Sequence, residues 1–233
     1  MMTESIQVMP KKLEETRVER IRTGISGFDD CIGGGLIKGD VHILAGGPGT
    51  GKTIFASTIA YNVMGGENTA VYATFEEPAS YLKRNMKCYG VDYEKSGRIL
   101  EFEALSGKGL ESNVSALLGA VDETRHCSVL VIDSLTTLLS GCLSEFEVWS
   151  SVKKIYDSIK ERGITALFTV NLGGAARLGG ESYICDSLLL LENVVEGLEL
   201  KTRLIVLKMR GTEHSRSYHS VVFSPQLAVS GCP

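Results

Sequence analysis

Glycines at positions 46, 47, 49 and 51 run straight into Lys52 and Thr53, so bare backbone is concentrated in front of a cation and a hydroxyl. The stretch AGGPGTGKT, Ala45 to Thr53, fits G-x-x-x-x-G-K-[ST] at Gly46, Gly51, Lys52 and Thr53. The chemistry such a loop performs is phosphate binding. Without Cβ atoms in the way, the chain wraps closely enough for its N–H groups to aim at phosphate oxygens, and a following helix adds partial positive charge at its N-terminus. Lys52 then reaches the β- and γ-phosphates as a point charge, and the Thr53 hydroxyl holds Mg²⁺. The nucleotide set read this way is Gly46, Gly47, Pro48, Gly49, Thr50, Gly51, Lys52, Thr53 and Ile54.

A nucleotide and its metal need carboxylates, and two places offer them. VLVIDS runs four apolar residues into Asp133, which at a strand's carboxyl end is placed to hold a Mg²⁺-bound water. The competing reading is a helix N-cap for the segment that follows. TFEEP sets Glu76 and Glu77 directly after another apolar run, where a general base for an attacking water belongs. Successive residues point apart, so one acts and the other supports. Here the competing reading is a solvated acidic turn in front of a helix that Pro78 starts at its first position.

These residues have to be positioned by a scaffold, and the chain predicts one. Short, largely continuous apolar runs at Val41–Ala45, Ala70–Phe75, Ile99–Phe102, Val129–Ile132 and Thr165–Val170 read as strands buried on both faces. Between them lie helices over Lys52–Met64, Ala79–Tyr89, Leu110–Thr124 and Glu145–Arg162; Phe55, Ile59 and Val63 stripe the first, and Leu82, Met86 and Tyr89 the second. Trp149, on the last, reads as a core residue, with a contact to a partner as the alternative. Alternation of strand and helix gives an α/β fold with a mostly parallel central sheet flanked by helices. After about residue 187, strand-like runs follow one another with no room for crossover helices, and Glu196–Gly197 offers a turn, so antiparallel strands extend one edge.

The bulk properties exclude several classes. With 43% hydrophobic and 22% charged residues the chain is an ordinary globular protein, and 233 residues suit one domain. The expected division is a charged arm over residues 1–22 and a single domain over 23–233. Net charge is −4, from 24 basic and 28 acidic residues, which speaks against a broad nucleic-acid-coating surface. No apolar run reaches the roughly eighteen residues of a membrane span and the N-terminus has no signal-peptide pattern, so a cytoplasmic protein is expected. The six cysteines show no paired metal-ligand spacing and read as idle thiols, not as a disulfide framework.

Several of these segments together resemble a known family. TGISGFDDCIGGGLIKGDVHILAGGPGTGKT, TFEEP, VLVIDS and the late ENVVEG and LIVLKMRGTEHS are similar to a single KaiC-type domain of the RecA-like P-loop ATPases, over about Thr23 to Phe223. KaiC has two such domains in tandem, whereas this chain holds one. The resemblance implies ATP as the nucleotide with Mg²⁺, and Glu76 as the catalytic member of the pair with Glu77 beside it. It implies that Lys208 and Arg210 reach across a subunit interface to the neighbour's γ-phosphate, and that His214 matches a histidine near the nucleotide. It further implies a homo-oligomeric, hexameric ring with ATP between subunits. The adjacent serine and threonine used for autophosphorylation in KaiC correspond here to Ser182 and Tyr183, so the autokinase pattern is incomplete.

Three functions are therefore compared. The first is a Mg²⁺-dependent ATPase ring with a regulatory or signalling role. The second is a DNA-binding accessory of the RadA-paralogue kind, whose candidate contact is the glycine-rich NLGGAARLGGES, Asn171 to Ser182, with Arg177. Acidic net charge and the absence of an aromatic in that loop argue against it. The third is a nucleotide-dependent scaffold for an unidentified protein partner, in which hydrolysis is only a reset.

Overall fold

The structure is a computed structural model; it describes residues 18–231 apart from 66, 94–97, 102–109, 143, 174–178 and 225. The strands are β1 (Arg20–Ile21), β2 (Leu36–Ile37), β3 (Val41–Gly46), β4 (Thr69–Thr74), β5 (Arg98–Glu101), β6 (Cys127–Asp133), β7 (Thr165–Asn171), β8 (Ser187–Glu196), β9 (Glu199–Met209), β10 (His219–Val222) and β11 (Ala228–Ser230). The helices are α1 (Phe28–Cys31), α2 (Lys52–Val63), α3 (Ala79–Lys87), α4 (Leu110–Glu123), α5 (Leu135–Leu138), α6 (Glu145–Arg162) and α7 (Glu181–Ile184). The expected strands and long helices are all present, with described ends within two residues of those expected from the sequence; Phe102, the expected end of the third strand, lies outside the described residues. The short elements α1, α7, β1, β2 and β11 were not foreseen, because two to four residues carry too little periodicity to read, and α5 entered only as the helix that Asp133 was weighed as capping.

Nine strands form one sheet in the order β11-β10-β9-β8-β3-β7-β6-β4-β5, while β1 and β2 pair separately. From β8 to β5 neighbouring strands are parallel, and β9, β10 and β11 are added antiparallel. The fold is thus the α/β architecture with antiparallel C-terminal edge strands that the sequence implies. The chain leaves β3 for β4 and only later fills the gap with β6 and β7. Hence β3, which leads into the phosphate loop, lies between β7 and β8, the strands formed last in the parallel set.

The parallel strands are apolar throughout because both faces are covered. In β3, Leu44 joins the cluster under α1, α2 and α3 with Phe28, Phe55 and Leu82. Val41, Ile43 and Ala45 point the other way, into the cluster under α4, α5 and α6 with Leu117, Leu135 and Ile155. Long helices supply the cover by their stripes: Phe55 and Ile59 of α2 are fully buried, as are Ile155 and Ile159 of α6. The α6 helix also has regular ends, with the Ser144 side chain accepting from the Glu147 N–H and Gly163 in the left-handed conformation at its C-cap.

Two expectations need correction. Trp149 is 45% exposed and stacks on the exposed Phe146, so it is a surface residue near the start of α6. Cys31 is disulfide-bonded, while Cys88, Cys127, Cys142 and Cys185 are free. Spacing along the chain says nothing about which thiols the fold brings together, which is why the cysteine count misled at this position. Among the described residues no helix is long and apolar enough to cross a membrane.

Candidate nucleotide site

The phosphate loop is clamped from one side by β8 and by the residue that follows β10. A Cβ on Gly46 would lie 2.6 Å from the Leu191 carbonyl oxygen of β8, and one on Gly51 would lie 2.3 Å from the Phe223 ring just past β10. No side chain fits at such distances, and Gly51 also sits at φ 84 as the N-cap of α2. The Asn193 amide of β8 donates to the Gly49 carbonyl at 3.4 Å and is itself held by the Thr202 hydroxyl of β9 at 2.8 Å. Within the loop, the Thr50 hydroxyl donates to the Gly47 carbonyl at 2.9 Å.

Lys52, in the first turn of α2, is buried and donates Nζ to the Gly46 and Gly47 carbonyls at 3.0 and 2.9 Å. Burial lowers its pKa, and the charges of Glu76 and Asp133 pull it back up. The ammonium is therefore stored against its own loop, inside the field of two carboxylates. Thr53 follows it, half-buried, on the same turn.

Asp133 ends β6 and is 4% exposed. Its Oδ2 accepts from the Tyr72 hydroxyl at 2.6 Å and its Oδ1 from the Thr169 hydroxyl, so β4 and β7 hold it from both sides. Burial first, and then the Asp133 charge, keeps the Tyr72 phenol well above its ordinary pKa, so it stays a donor. The cap of α5 is Ser134, whose Oγ accepts from the Thr137 N–H at 3.2 Å. That removes the capping alternative for Asp133.

The two glutamates part company at the end of β4. Glu76 Oε1 accepts from the hydroxyls of Ser134 and Thr137 and from the Asn171 amide, joining the ends of β4, β6 and β7. Glu77 turns toward α3, where the Asn85 amide donates to it at 3.3 Å. Burial raises the Glu77 pKa, with Asp133 and Glu76 adding like-charge repulsion. Pro78 stands at the N-cap of α3, one place before the first helical position expected for it, a shift within the usual spread of helix ends.

Sequence reasoning missed the partners that set this geometry: Tyr72, Ser134, Thr137, Thr169 and Asn171. One signal was available for Asn171. It is a polar residue closing a buried parallel strand, as Asp133 is, and β7 neighbours β3 in register Gly46↔Asn171.

Lys208 and Arg210 are not brought to this loop. Register pairs Ser187 with both His42 and Met209, which puts Arg210 level with Val41 at the amino end of β3, about 17 Å of strand rise from Gly46. Lys208 Nζ donates to the carbonyls of Ser182, Tyr183 and Cys185 at 3.2, 3.3 and 2.6 Å. Arg210 donates to the Tyr183 carbonyl at 3.2 Å and to Asp186 at 3.3 Å. His214 Nδ1 lies 3.1 Å from the Thr212 carbonyl in the segment after β9, likewise away from the loop. Ser182 donates to the Gly179 carbonyl at 2.8 Å and Tyr183 is exposed. Arg177 lies outside the described residues.

A glycine loop between a buried parallel strand and a helix, with a lysine on the helix and an aspartate at the end of a nearby strand, defines a P-loop nucleotide-binding protein. The comparisons narrow that class. Residues 21–229 match the family model described as ATPase: KaiC, and the chain belongs to that family. It is 30% identical over 220 residues to the circadian clock protein KaiC3 of Synechocystis, covering 87% of this chain and 43% of that protein. It is 31% identical over 226 residues to a UPF0273 protein of Thermotoga maritima, covering 87% of this chain and 91% of that one. A KaiC-like protein of Pyrococcus horikoshii has a solved structure that matches with a TM-score of 0.81 at 30% identity, over 92% of this chain and all of that one. The chain spans less than half the length of the KaiC relatives it matches.

Proposed function

We propose that this protein is a Mg²⁺-dependent ATPase that acts as a homo-oligomeric ring, hexameric as the family resemblance implies, with ATP bound between subunits and a regulatory or signalling use of the nucleotide state. The observation that carries this reading is the separation within one sheet. Lys52, Asp133 and Glu76 converge where the parallel strands end, while Lys208 and Arg210 stand at the strands' opposite ends. A guanidinium spans far less than the roughly 17 Å between the two levels, so in one subunit the cations cannot complete the site. A neighbour in a head-to-tail ring supplies them.

The roles follow from the contacts. Phosphate oxygens replace the Gly46 and Gly47 carbonyls on Lys52, whose ammonium already lies in the field of Glu76 and Asp133. Glu76 has all three of its hydrogen-bond donors on Oε1, leaving Oε2 without a protein donor among the described residues to accept a proton from the attacking water. Asn171 and Ser134 fix that carboxylate. Glu77, held toward α3, supports. Arg210 and Lys208 of one subunit stabilise charge developing on the phosphate in the next.

The donor set fits Mg²⁺ in the sparse manner of P-loop proteins. No group of three or more His, Cys, Asp or Glu side chains among the described residues is arranged to hold a metal, so an all-protein cage is ruled out for them. Thr53 and the buried Asp133 suit an ion that keeps most of its ligands as phosphate and water. Each Asp133 oxygen already accepts one hydrogen bond and retains a lone pair for a bound water. When bound, Mg²⁺ neutralises charge on the β- and γ-phosphates.

The test is steady-state ATP hydrolysis per subunit across a range of protein concentrations, with Lys52→Ala and Arg210→Ala alongside. The expected result is a wild-type rate per subunit that rises and saturates with concentration while both variants stay flat. A wild-type rate no higher than that of Lys52→Ala at every concentration would overturn autonomous hydrolysis.

A further inference from the structure

Opposite the phosphate loop, one buried carboxylate gathers β3, α6 and the end of β9. Asp186, between α7 and β8, is 5% exposed. Its Oδ2 accepts from the Val41 N–H at 3.0 Å and from Lys160 at 3.1 Å, and its Oδ1 from the Tyr156 hydroxyl at 3.0 Å and Arg210 at 3.3 Å. The backbone joins in: the Asp186 N–H donates to the Val41 carbonyl at 2.8 Å and the Arg210 N–H to the Asp186 carbonyl at 3.0 Å. Burial alone would raise the Asp186 carboxyl, but the Val41 N–H, Lys160 and Tyr156 bring it below the ordinary carboxylate range, so it is a fixed anion.

The neighbouring Asp40 shares Lys160 at 2.7 Å and feels Arg210 through its charge, whereas the Arg210 ion pair is with Asp186, and Arg210 is 53% exposed in its side chain. A half-exposed arginine would ordinarily sample many rotamers. Here its guanidinium is pinned at two points, Asp186 Oδ1 and the Tyr183 carbonyl, while the same α7 terminus holds Lys208. Both cations offered across the interface are thus anchored to one junction, and Asp186 ties that junction to the first residue of the strand that leads into the subunit's own phosphate loop.

We infer that Asp186 is a positioning residue for hydrolysis in the neighbouring subunit: through its bond to Arg210, and supported by Tyr156 and Lys160, it presets the guanidinium for the ATP bound next door. This rests on the shared-site function proposed above and deepens it by naming what aims the arginine. Pre-set charge is effective because no reorganisation is left for the reaction itself, and a displacement of about 1 Å in such a group costs up to about a hundredfold in rate.

The experiment is subunit mixing with the full-length chain. Asp186→Asn keeps an intact phosphate loop and loses the anchor; Lys52→Ala keeps the anchor and loses the loop. Asp186→Asn alone is expected to show kcat lowered about tenfold or more with KM for ATP little changed. Mixed one to one with Lys52→Ala, random assembly of a ring leaves about a quarter of the sites with an intact loop facing an intact finger, so the rate should recover toward that fraction of wild type. A role confined to the folding of its own subunit predicts no recovery. The control is Arg210→Ala mixed with Lys52→Ala. Recovery in the control but none with Asp186→Asn, or a wild-type rate in Asp186→Asn alone, would overturn the positioning role and leave the shared site standing. No recovery in the control would remove the shared site and this inference with it. Should Asp186→Asn fail to fold, Tyr156→Phe removes one bond to the same carboxylate, and a smaller kcat loss that is likewise rescued by Lys52→Ala is expected; an unchanged rate, or a loss that mixing does not rescue, counts against the inference.

Discussion

The two ends of the central sheet handle buried charge in different ways. At the carboxyl ends of the parallel strands, Lys52 rests on backbone carbonyls and Asp133 and Glu76 on hydroxyls and an amide, and the three form no salt bridge with one another. At the amino ends, Asp40, Asp186, Lys160 and Arg210 neutralise one another directly. Neutral partners hold a charge in place without cancelling it, which leaves it available to a ligand. Ion pairs give up part of the field for geometry, and within this set Arg210 keeps a side chain 53% exposed to solvent. The first arrangement suits a site that meets a polyanion and a metal, and the second suits a rigid mount.

Breaking the carboxyl-end network should have the largest effect. Glu76→Gln is expected to lower ATP hydrolysis about 10²–10⁴-fold while leaving binding of a fluorescent nucleotide nearly unchanged, and Glu77→Gln should stay within about tenfold of wild type. A larger loss in Glu77→Gln would reverse the assignment of the pair.

The amino end should instead reveal itself through acid sensitivity. His42, in β3, is fully buried, and burial lowers its pKa from 6.5 to about 4 against the opposing pull of the Ile37 backbone and Asp186. The unfolded chain therefore binds a proton on this histidine that the folded chain refuses between those two values. Stability from this group is complete above about pH 6.5 and is lost as pH falls toward 4, by on the order of 3 kcal/mol. Denaturant melts of wild type and His42→Leu across that window check it; an equal slope in both proteins would assign the acid loss elsewhere.

Gly51→Ala sharpens the contrast from the loop side. The added methyl meets the Phe223 ring and the backbone holds φ 84, so a loss of about 1–3 kcal/mol is expected by thermal unfolding, together with weaker nucleotide binding. A neutral result would mean that Phe223 moves freely and does not clamp the loop. The smallest effect belongs to Asp40→Asn. Lys160 keeps Asp186 when Asp40 is neutral, so stability should change by no more than about 1 kcal/mol and hydrolysis should be unaffected. A rate loss there equal to that of Asp186→Asn would show that the whole ion cluster, and not the bond to Arg210, matters.

Much of this molecule was legible because its information is local. A phosphate loop needs its glycines, lysine and threonine at fixed offsets within one turn of chain, and parallel strands buried on both faces announce themselves as continuous apolar runs. Asp133, Glu76 and Glu77 were readable for the same reason, each lying where such a run stops. The sequence alone therefore specified the α/β class, the order of the long elements, the phosphate loop and the candidate carboxylates, since backbone sterics, helix periodicity and loop spacing act over a few residues. It did not specify which strands flank β3, and that topological choice decided the rest. Strand order brought Asn171 and Thr169 to the glutamate and the aspartate, set Leu191 and Phe223 against the glycines, and assembled Asp186 with Val41, Tyr156 and Arg210. Contacts between segments tens of residues apart leave no mark in spacing or periodicity, so only the packed tertiary structure fixes them.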